Sequence, residues 1–453
     1  RQKAHILTQA EENILAQMSE ITGATNDIFT MLNNADIKFG TIIDEDGDET
    51  EVTHGNFIKF MESHDRDVRK NAYNAVYDAY KELINTIASA YNYNTKTDVV
   101  SARIRKYESA RAAALSGDNI PAEVYDNLVA EVHKNLPAMH RYVELRKKLL
   151  GVDKLYMYDM YVPLIKLPET SVSFEEGLDI MRDALQPLGE EYLTKMNKGI
   201  KEGWIDVYEN KGKTSGAYSF GCYDSYPYIL LNYTDTLKDV FTIIHEMGHS
   251  MHSRYTRDEQ PYIYGSHSIF TAEVASTVNE SLLMQHLLRT KDEKEMRKYL
   301  LNMHLEEFRT TLFRQTMFAE FEDITHKAIE SGETLTAEWM CQQYEDLNAQ
   351  YYGSAVEKDD VIRYEWARIP HFYNAFYVYK YATGYSAATA ISKKILTEGK
   401  PAAQDYIRFL KTGESDHPIE LLKIAGVDMS SPLPVQQAME TFNQLLDEFE
   451  SLL

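Results

Sequence analysis

The chain has 453 residues, 44% hydrophobic and 26% charged, enough for a large core that would ordinarily divide into two or three lobes. Its formal net charge of −23 argues against nucleic acid and anionic membrane surfaces as partners, and favours neutral or basic peptides over acidic ones. No stretch approaches the roughly 18 uninterrupted apolar residues of a membrane helix. Cys222 and Cys341 are far apart and lack metal-type spacing, so no disulfide framework is implied and a reducing cytoplasm is expected.

In chain order, residues 1–35 read as two helices, with Ile28, Phe29, Met31 and Leu32 on an apolar face. Lys38 to Thr53 reads as a β-hairpin around the acidic turn Asp44 to Glu49. A calcium loop is excluded there, because Gly47 falls at the fourth position from Asp44 instead of the sixth and no Glu closes the loop at the twelfth. Residues 56–115 read as long helices with a break near Asn92. Asp118-Asn119-Ile120-Pro121 opens the next helix, which runs to Leu150, where Gly151 supplies the C-cap. Residues 152–170 are irregular and aromatic. Ser173 and Glu176 form a capping box that opens a helix to about Lys201.

The stretch 211–233 changes character. Gly212, Gly216 and Gly221 interrupt a polar, tyrosine-rich run, and a strand follows at Tyr228 to Tyr233. Such a loop can close over a substrate, and the strand could offer a free edge to an extended peptide. An ordinary hairpin in a small sheet is the competing reading.

A helix then begins near Thr234 or Asp235, with Leu237, Val240, Phe241 and Ile244 as its apolar stripe. It carries His245-Glu246-Met247-Gly248-His249. Histidines four apart lie on one helical face, one turn apart, where both imidazoles can hold one metal ion, and Glu246 can reach a water on the open side. A catalytic zinc needs three protein ligands. The metzincin pattern would put Gly at 252 and His at 255, and the chain has His252 and Tyr255. The third ligand is therefore expected at Glu273, on a second helix where Glu273, Ser276 and Glu280 share a face at i, i+3 and i+7. His252 and His267 are the rivals. Glu280 is placed to orient a ligand histidine.

Residues 293–331 and 336–349 read as helices, and Trp366 to Lys394 concentrates aromatics. On a helix Tyr373, Tyr377 and Tyr381 would form one stripe, which packing alone could explain, although buried phenol hydroxyls need partners. The remainder, 395–453, reads as closing helices.

His245-Glu246-Met247-Gly248-His249 followed by Glu273-Val274-Ala275-Ser276 resembles the M3 family of zinc oligopeptidases. So do Asn34 to Phe39, Pro227 to Asn232, Arg368 to Tyr373, Phe376 to Gly384 and Ala425 to Met429, so the resemblance spans essentially the whole chain. It implies a mainly α, clamshell-like zinc peptidase fold with a small β-sheet next to the active-site helix. It also implies a helical lobe over 1–150, a catalytic lobe over 151–453, and a further helical region of the family pattern ahead of Arg1. The resemblance implies one Zn²⁺ per chain on His245, His249 and Glu273, with Glu246 as general base. It implies His371 and Tyr377 as donors to the developing oxyanion, and leaves Tyr379 and Tyr381 open as the second tyrosine. The expected function is zinc-dependent endopeptidase action on short unfolded oligopeptides. A carboxypeptidase or dipeptidyl carboxypeptidase on a similar scaffold, and an inert peptide-binding fragment, are the alternatives. Glu246 argues against the last, since binding alone needs no base.

Overall fold

The computed structural model describes residues 2–166 and 171–453. Residues 167–170, the end of the expected irregular stretch, lie outside the described residues.

The first part of the chain is helical around one hairpin. Helices α1 (Gln9–Thr22) and α2 (Ala24–Met31) precede β1 (Thr41–Ile43) and β2 (Glu49–Glu51), which pair antiparallel as expected. Helix α3 (Phe57–Met61) leads into α4 (Arg66–Glu82) and α5 (Ile84–Ile104). The break therefore falls at Leu83, not near Asn92. Helix α5 passes through Asn92 to Thr95 because their side chains are satisfied without leaving the helix. Thr95 Oγ1 donates back to the Tyr91 carbonyl at 3.1 Å, and Asn92 Oδ1 accepts the Leu335 amide at 3.3 Å. Helices α6 (Ala110–Gly117) and α7 (Ala122–Leu150) follow, and Gly151 ends α7 with φ +65°.

The capping box at Ser173 forms as expected, but the helix it opens stops early. Helix α8 covers Phe174–Ala184 and α9 covers Glu190–Lys201. Pro187 lacks an amide hydrogen and Gly189 takes φ +89°, so the chain turns between them. Strands β3 (Ile205–Asp206), β4 (Tyr218–Phe220) and β5 (Tyr228–Leu230) form a sheet in the order β3-β5-β4. β5 was expected to offer a free edge. It is the middle strand, because residues 204–207 accept its amides: Ile229 N–H reaches Trp204 O and Leu231 N–H reaches Asp206 O, both at 2.8 Å. The edge strands are β3 and β4.

Helix α10 (Leu237–Glu259) starts one residue after Thr236, whose hydroxyl and the Asp239 carboxylate form the capping box. The cap is thus Thr236, while Thr234 donates to Asp239 and Asp235 takes φ +59°. Helix α11 (Ile269–Thr290) follows, then α12 (Lys294–Glu307), a π-helical stretch at Phe308–Phe313, and α13 (Arg314–Glu330). Helices α14 (Ala337–Tyr352), α15 (Tyr379–Glu398), α16 (Lys400–Leu410), α17 (Pro418–Ile424) and α18 (Leu433–Leu452) complete the chain.

Contacts group these elements into two compact units that interleave in sequence, where one division at 150 was expected. The first comprises Arg1–Gly117, Lys134–Leu164 and Arg314–Tyr379, and the second comprises Asp118–His133, Ile165–Phe313 and Lys380–Leu453. In the first unit, buried carboxylates organise the core. Asp159 binds Arg66 and Arg69, each at 2.8 Å, and Glu365 binds Arg314 at 2.6 Å and Arg368 at 3.3 Å. In the second unit α10 is the central helix. Leu237, Val240, Ile243, Ile244, Met247 and Met251 are buried, as are Val274, Val278 and Leu282 of α11, the helix packed against it.

Candidate active site

Helices α10 and α11 carry the site. They approach so closely at Gly248 that a Cβ there would lie 2.6 Å from Ser276 Cα and 2.7 Å from the Ala275 carbonyl. Glycine at this point lets the two backbones touch, which brings the histidines of α10 to the carboxylate of α11. Asn279 reinforces the crossing by donating to the Ile244 carbonyl at 3.1 Å.

His245 Nε2 and His249 Nε2 are 3.2 Å apart, and Glu273 Oε2 stands 3.7 and 3.6 Å from them. Ser276 Oγ donates to the same Glu273 oxygen at 3.3 Å. Among the described residues, these are the one group of three His, Cys, Asp or Glu side chains whose ligand atoms lie within 4.8 Å of one another. Tetrahedral ligands at about 2.0–2.2 Å from a zinc ion stand roughly 3.3–3.6 Å from each other, so the spacing fits. The second nitrogens fit too. His245 Nδ1 meets Glu280 Oε2 at 3.2 Å, and the Ala272 carbonyl hydrogen-bonds the His249 ring. Each neutral ring then keeps its hydrogen on that outer contact and turns a lone pair to the centre. Two lone pairs 3.2 Å apart, facing a carboxylate, suit a shared cation.

The electrostatics agree. Desolvation works against charge on His245, but the Glu280 hydrogen bond and charge, with Glu246 and Glu273, outweigh it and raise its pKa to about 9. Burial, then the neighbouring His245, push His249 down to about 4. Glu246 is 7% exposed. Burial raises its pKa, Glu273 and Glu280 add to the rise, and His245 and the Ser219 amide oppose it. A carboxylate lifted in this way is suited to proton transfer near neutral pH. The Ser219 amide belongs to β4, so this edge strand is hydrogen-bonded to Glu246. The Ser219 and Ser250 hydroxyls, 2.8 Å apart, fasten β4 to α10.

The rivals for third ligand lie elsewhere. His252 is buried, and its ring packs on His267 with centroids 3.7 Å apart. Tyr373, Tyr377 and Tyr381 do not share a helix. Residues 370–373 form a 3₁₀ turn, Phe376 takes φ +54°, and α15 begins only at Tyr379. A left-handed conformation is costly for a bulky residue. Here the buried Glu322 accepts the Phe376 amide at 2.9 Å and holds the turn. His371 and Tyr377, in the first unit, stack with centroids 5.8 Å apart. Burial and Arg314 hold the His371 pKa below its ordinary value, which keeps the ring neutral. Tyr379 is 1% exposed. Tyr381, in the second unit, lines a cavity of 210 Å³ together with His245, Glu273, Glu280 and Glu307. That cavity and the contact at Gly248 were not read from the sequence. Gly248 lay inside the motif, but nothing in the spacing revealed which backbone it would touch.

A histidine pair and a carboxylate thus meet on crossed helices with a buried glutamate beside them, and the chain belongs to peptidase family M3, which its residues 59–441 match. It is an enzyme of the metallopeptidase class, and its first 39 residues match oligopeptidase F. The sequence is 52% identical to oligopeptidase PepF of Bacillus subtilis over the whole chain and 68% of that relative. It is 45% identical to group B oligopeptidase PepB of Streptococcus agalactiae, over the whole chain and 75% of that relative. The crystal structure of oligoendopeptidase-F from Enterococcus faecium superposes with a TM-score of 0.85 at 41% identity, covering 100% of this chain and 76% of that one. A putative peptidase from Chlamydophila abortus gives a TM-score of 0.93 at 41% identity, covering 99% and 76%. The mainly α fold with small sheets is the fold of these structures.

Proposed function

We propose that the chain is a zinc-dependent endopeptidase that hydrolyses short, unfolded oligopeptides. One observation carries this reading: His245, His249 and Glu273 present three donor atoms at tetrahedral spacing beside the buried Glu246. When bound, zinc supplies Lewis acidity, making water a nucleophile near neutral pH and polarising the scissile carbonyl. Glu246 takes the proton from the attacking water and passes it to the leaving amine. The open edge of β4 aligns an extended peptide by main-chain hydrogen bonds, next to the base to which Ser219 is already bonded. His371 and Tyr377 donate to the oxyanion. For the second tyrosine, Tyr381 is favoured over the buried Tyr379, because it shares a cavity wall with His245 and Glu273.

The dipeptidyl carboxypeptidase alternative needs a cation to hold the substrate carboxylate. Among the described residues no lysine or arginine lines the cavity at the cluster. The exposed Cys222 and buried Cys341 are both free thiols, which suits a reducing cytoplasm. Digestion of a mixed peptide library, read by mass spectrometry with and without a chelator, tests the function. Internal cleavages that vanish with the chelator are expected. Cleavage confined to the last one or two residues would replace this reading with a carboxypeptidase.

A further inference from the structure

The 210 Å³ cavity behind the cluster has an unbalanced wall. Glu280 and Glu307 both line it, and no lysine or arginine does among the described residues. Glu280 is committed to His245 at 3.2 Å. Glu307 receives a hydrogen bond from the Tyr385 hydroxyl, and among the described residues no cation is shown paired with it. Burial, reinforced by Glu280, works against its ionised form. A carboxylate in that position invites a positive charge from outside the wall.

A second observation is independent of the carboxylates. His304 also lines the cavity, is 3% exposed, and has a buried Nδ1 with no hydrogen-bond partner. Burial keeps its ring neutral, with a pKa of about 4, so it can accept a hydrogen bond from an N–H donor. The hydroxyls of Thr277 and Thr311 add further acceptors to the wall. A single metal ion is a poorer occupant, because Glu280, Glu307 and His304 do not bring three ligand atoms within 4.8 Å of one another. The volume equals about seven waters at roughly 30 Å³ each, room for one long side chain. His245 and Glu273 belong to the same wall, so an occupant would hang from a residue next to the bond being cut.

We propose that this cavity is a specificity subsite for a lysine or arginine side chain of the peptide, with Glu307 as the residue that selects it. The proposal rests on the peptidase reading above. A guanidinium or ammonium group would pair with Glu307 and donate to His304 Nδ1.

The test uses the zinc-loaded full chain in two arms. Cleavage of a peptide library should show lysine or arginine enriched at one position beside the scissile bond. For a matched peptide pair with arginine or norleucine at that position, Glu307→Gln should lower the ratio of kcat/KM values by about tenfold or more, as loss of a charge partner does. In the second arm, butylguanidinium should raise the melting temperature of the wild type and not of Glu307→Gln. No basic preference, or one that survives in a folded Glu307→Gln variant, overturns the proposal. Should the wild type cut no peptide at all, the peptidase reading fails by itself. The butylguanidinium shift then decides the cavity's character alone: a shift abolished by the substitution sustains a cation site, and no shift overturns it.

Discussion

Gly248 and Ser276 meet backbone to backbone, with only 2.6 Å between a Cβ built on the glycine and the serine Cα. Neither neighbour is a flexible side-chain tip, so any larger residue at 248 must push α10 and α11 apart. Gly248→Ala is expected to cost about 1–3 kcal/mol of stability, as overpacking does, and to weaken zinc binding, because the ligands sit on both helices. Melting temperature and zinc affinity check it. Gly384→Ala on α15 is the control. A Cβ there meets nothing within 4 Å, so stability should rise by about 0.5–1 kcal/mol. Equal behaviour of the two variants would remove the close approach as an explanation for the glycine.

Glu280 fixes the ring of His245 through Nδ1. Glu280→Gln replaces a carboxylate by a weaker acceptor, and zinc affinity should fall by roughly 10–100-fold. Competition with a chelating dye measures it. Unchanged affinity would mean the ring is held by packing alone.

Glu246 lies outside the three-residue cluster. Glu246→Gln should keep full zinc and bind peptides, yet lose about 10²–10⁴-fold in kcat, since an amide accepts no proton from water. Metal analysis beside turnover separates this from loss of the ion. Near-normal turnover would show that another base acts.

Tyr381→Phe and Tyr379→Phe should differ in kind. Removing an oxyanion donor costs about 10²–10³ in kcat, and this is expected for Tyr381→Phe and Tyr377→Phe with little change in KM or melting temperature. Tyr379→Phe should instead keep kcat and change stability by about 0.5–1.5 kcal/mol. The reverse pattern would move the donor role to Tyr379.

Acid should weaken the core of the first unit. Desolvation opposes the charge on Glu365, yet Arg314 and Arg368 overcome it and hold its pKa at about 2, below the ordinary 4.5. The folded state therefore binds this proton less readily than the unfolded chain. The stability it contributes is complete above about pH 4.5 and is lost as pH falls toward 2. Glu365→Gln should remove that part of the acid transition and cost about 3–5 kcal/mol at neutral pH, by leaving Arg314 and Arg368 without their carboxylate. Urea unfolding across this pH range checks both.

The grouping of His245, His249 and Glu273 was the most legible part of the sequence, because the pattern within each of its two helices is local. Two histidines one turn apart and a carboxylate stripe at i, i+3 and i+7 need no tertiary information. The cap at Ser173 and the stop at Gly151 were legible for the same reason. The errors arose where a distant partner decides. Asn92 to Thr95 looks like a helix breaker until Leu335 and the Tyr91 carbonyl satisfy it. β5 looks like an edge until the two residues of β3 pair with it. The tyrosine stripe assumed one helix through 373–381, and the positive φ of Phe376 depends on Glu322, some fifty positions away. Pro187 is itself a local stop signal within the helical run expected from Ser173 to Lys201.

The interleaving of the two units also orders events during synthesis. His245, His249 and Glu273 all lie in the segment Ile165–Phe313, whereas Tyr381 and Tyr385 wait for Lys380–Leu453. As the ribosome works from one end, a growing chain acquires its metal-ligand triad long before the last wall of the cavity beside it. A polypeptide that stops before Lys380 would carry His245, His249 and Glu273 in a pocket whose wall still lacks Tyr381 and Tyr385.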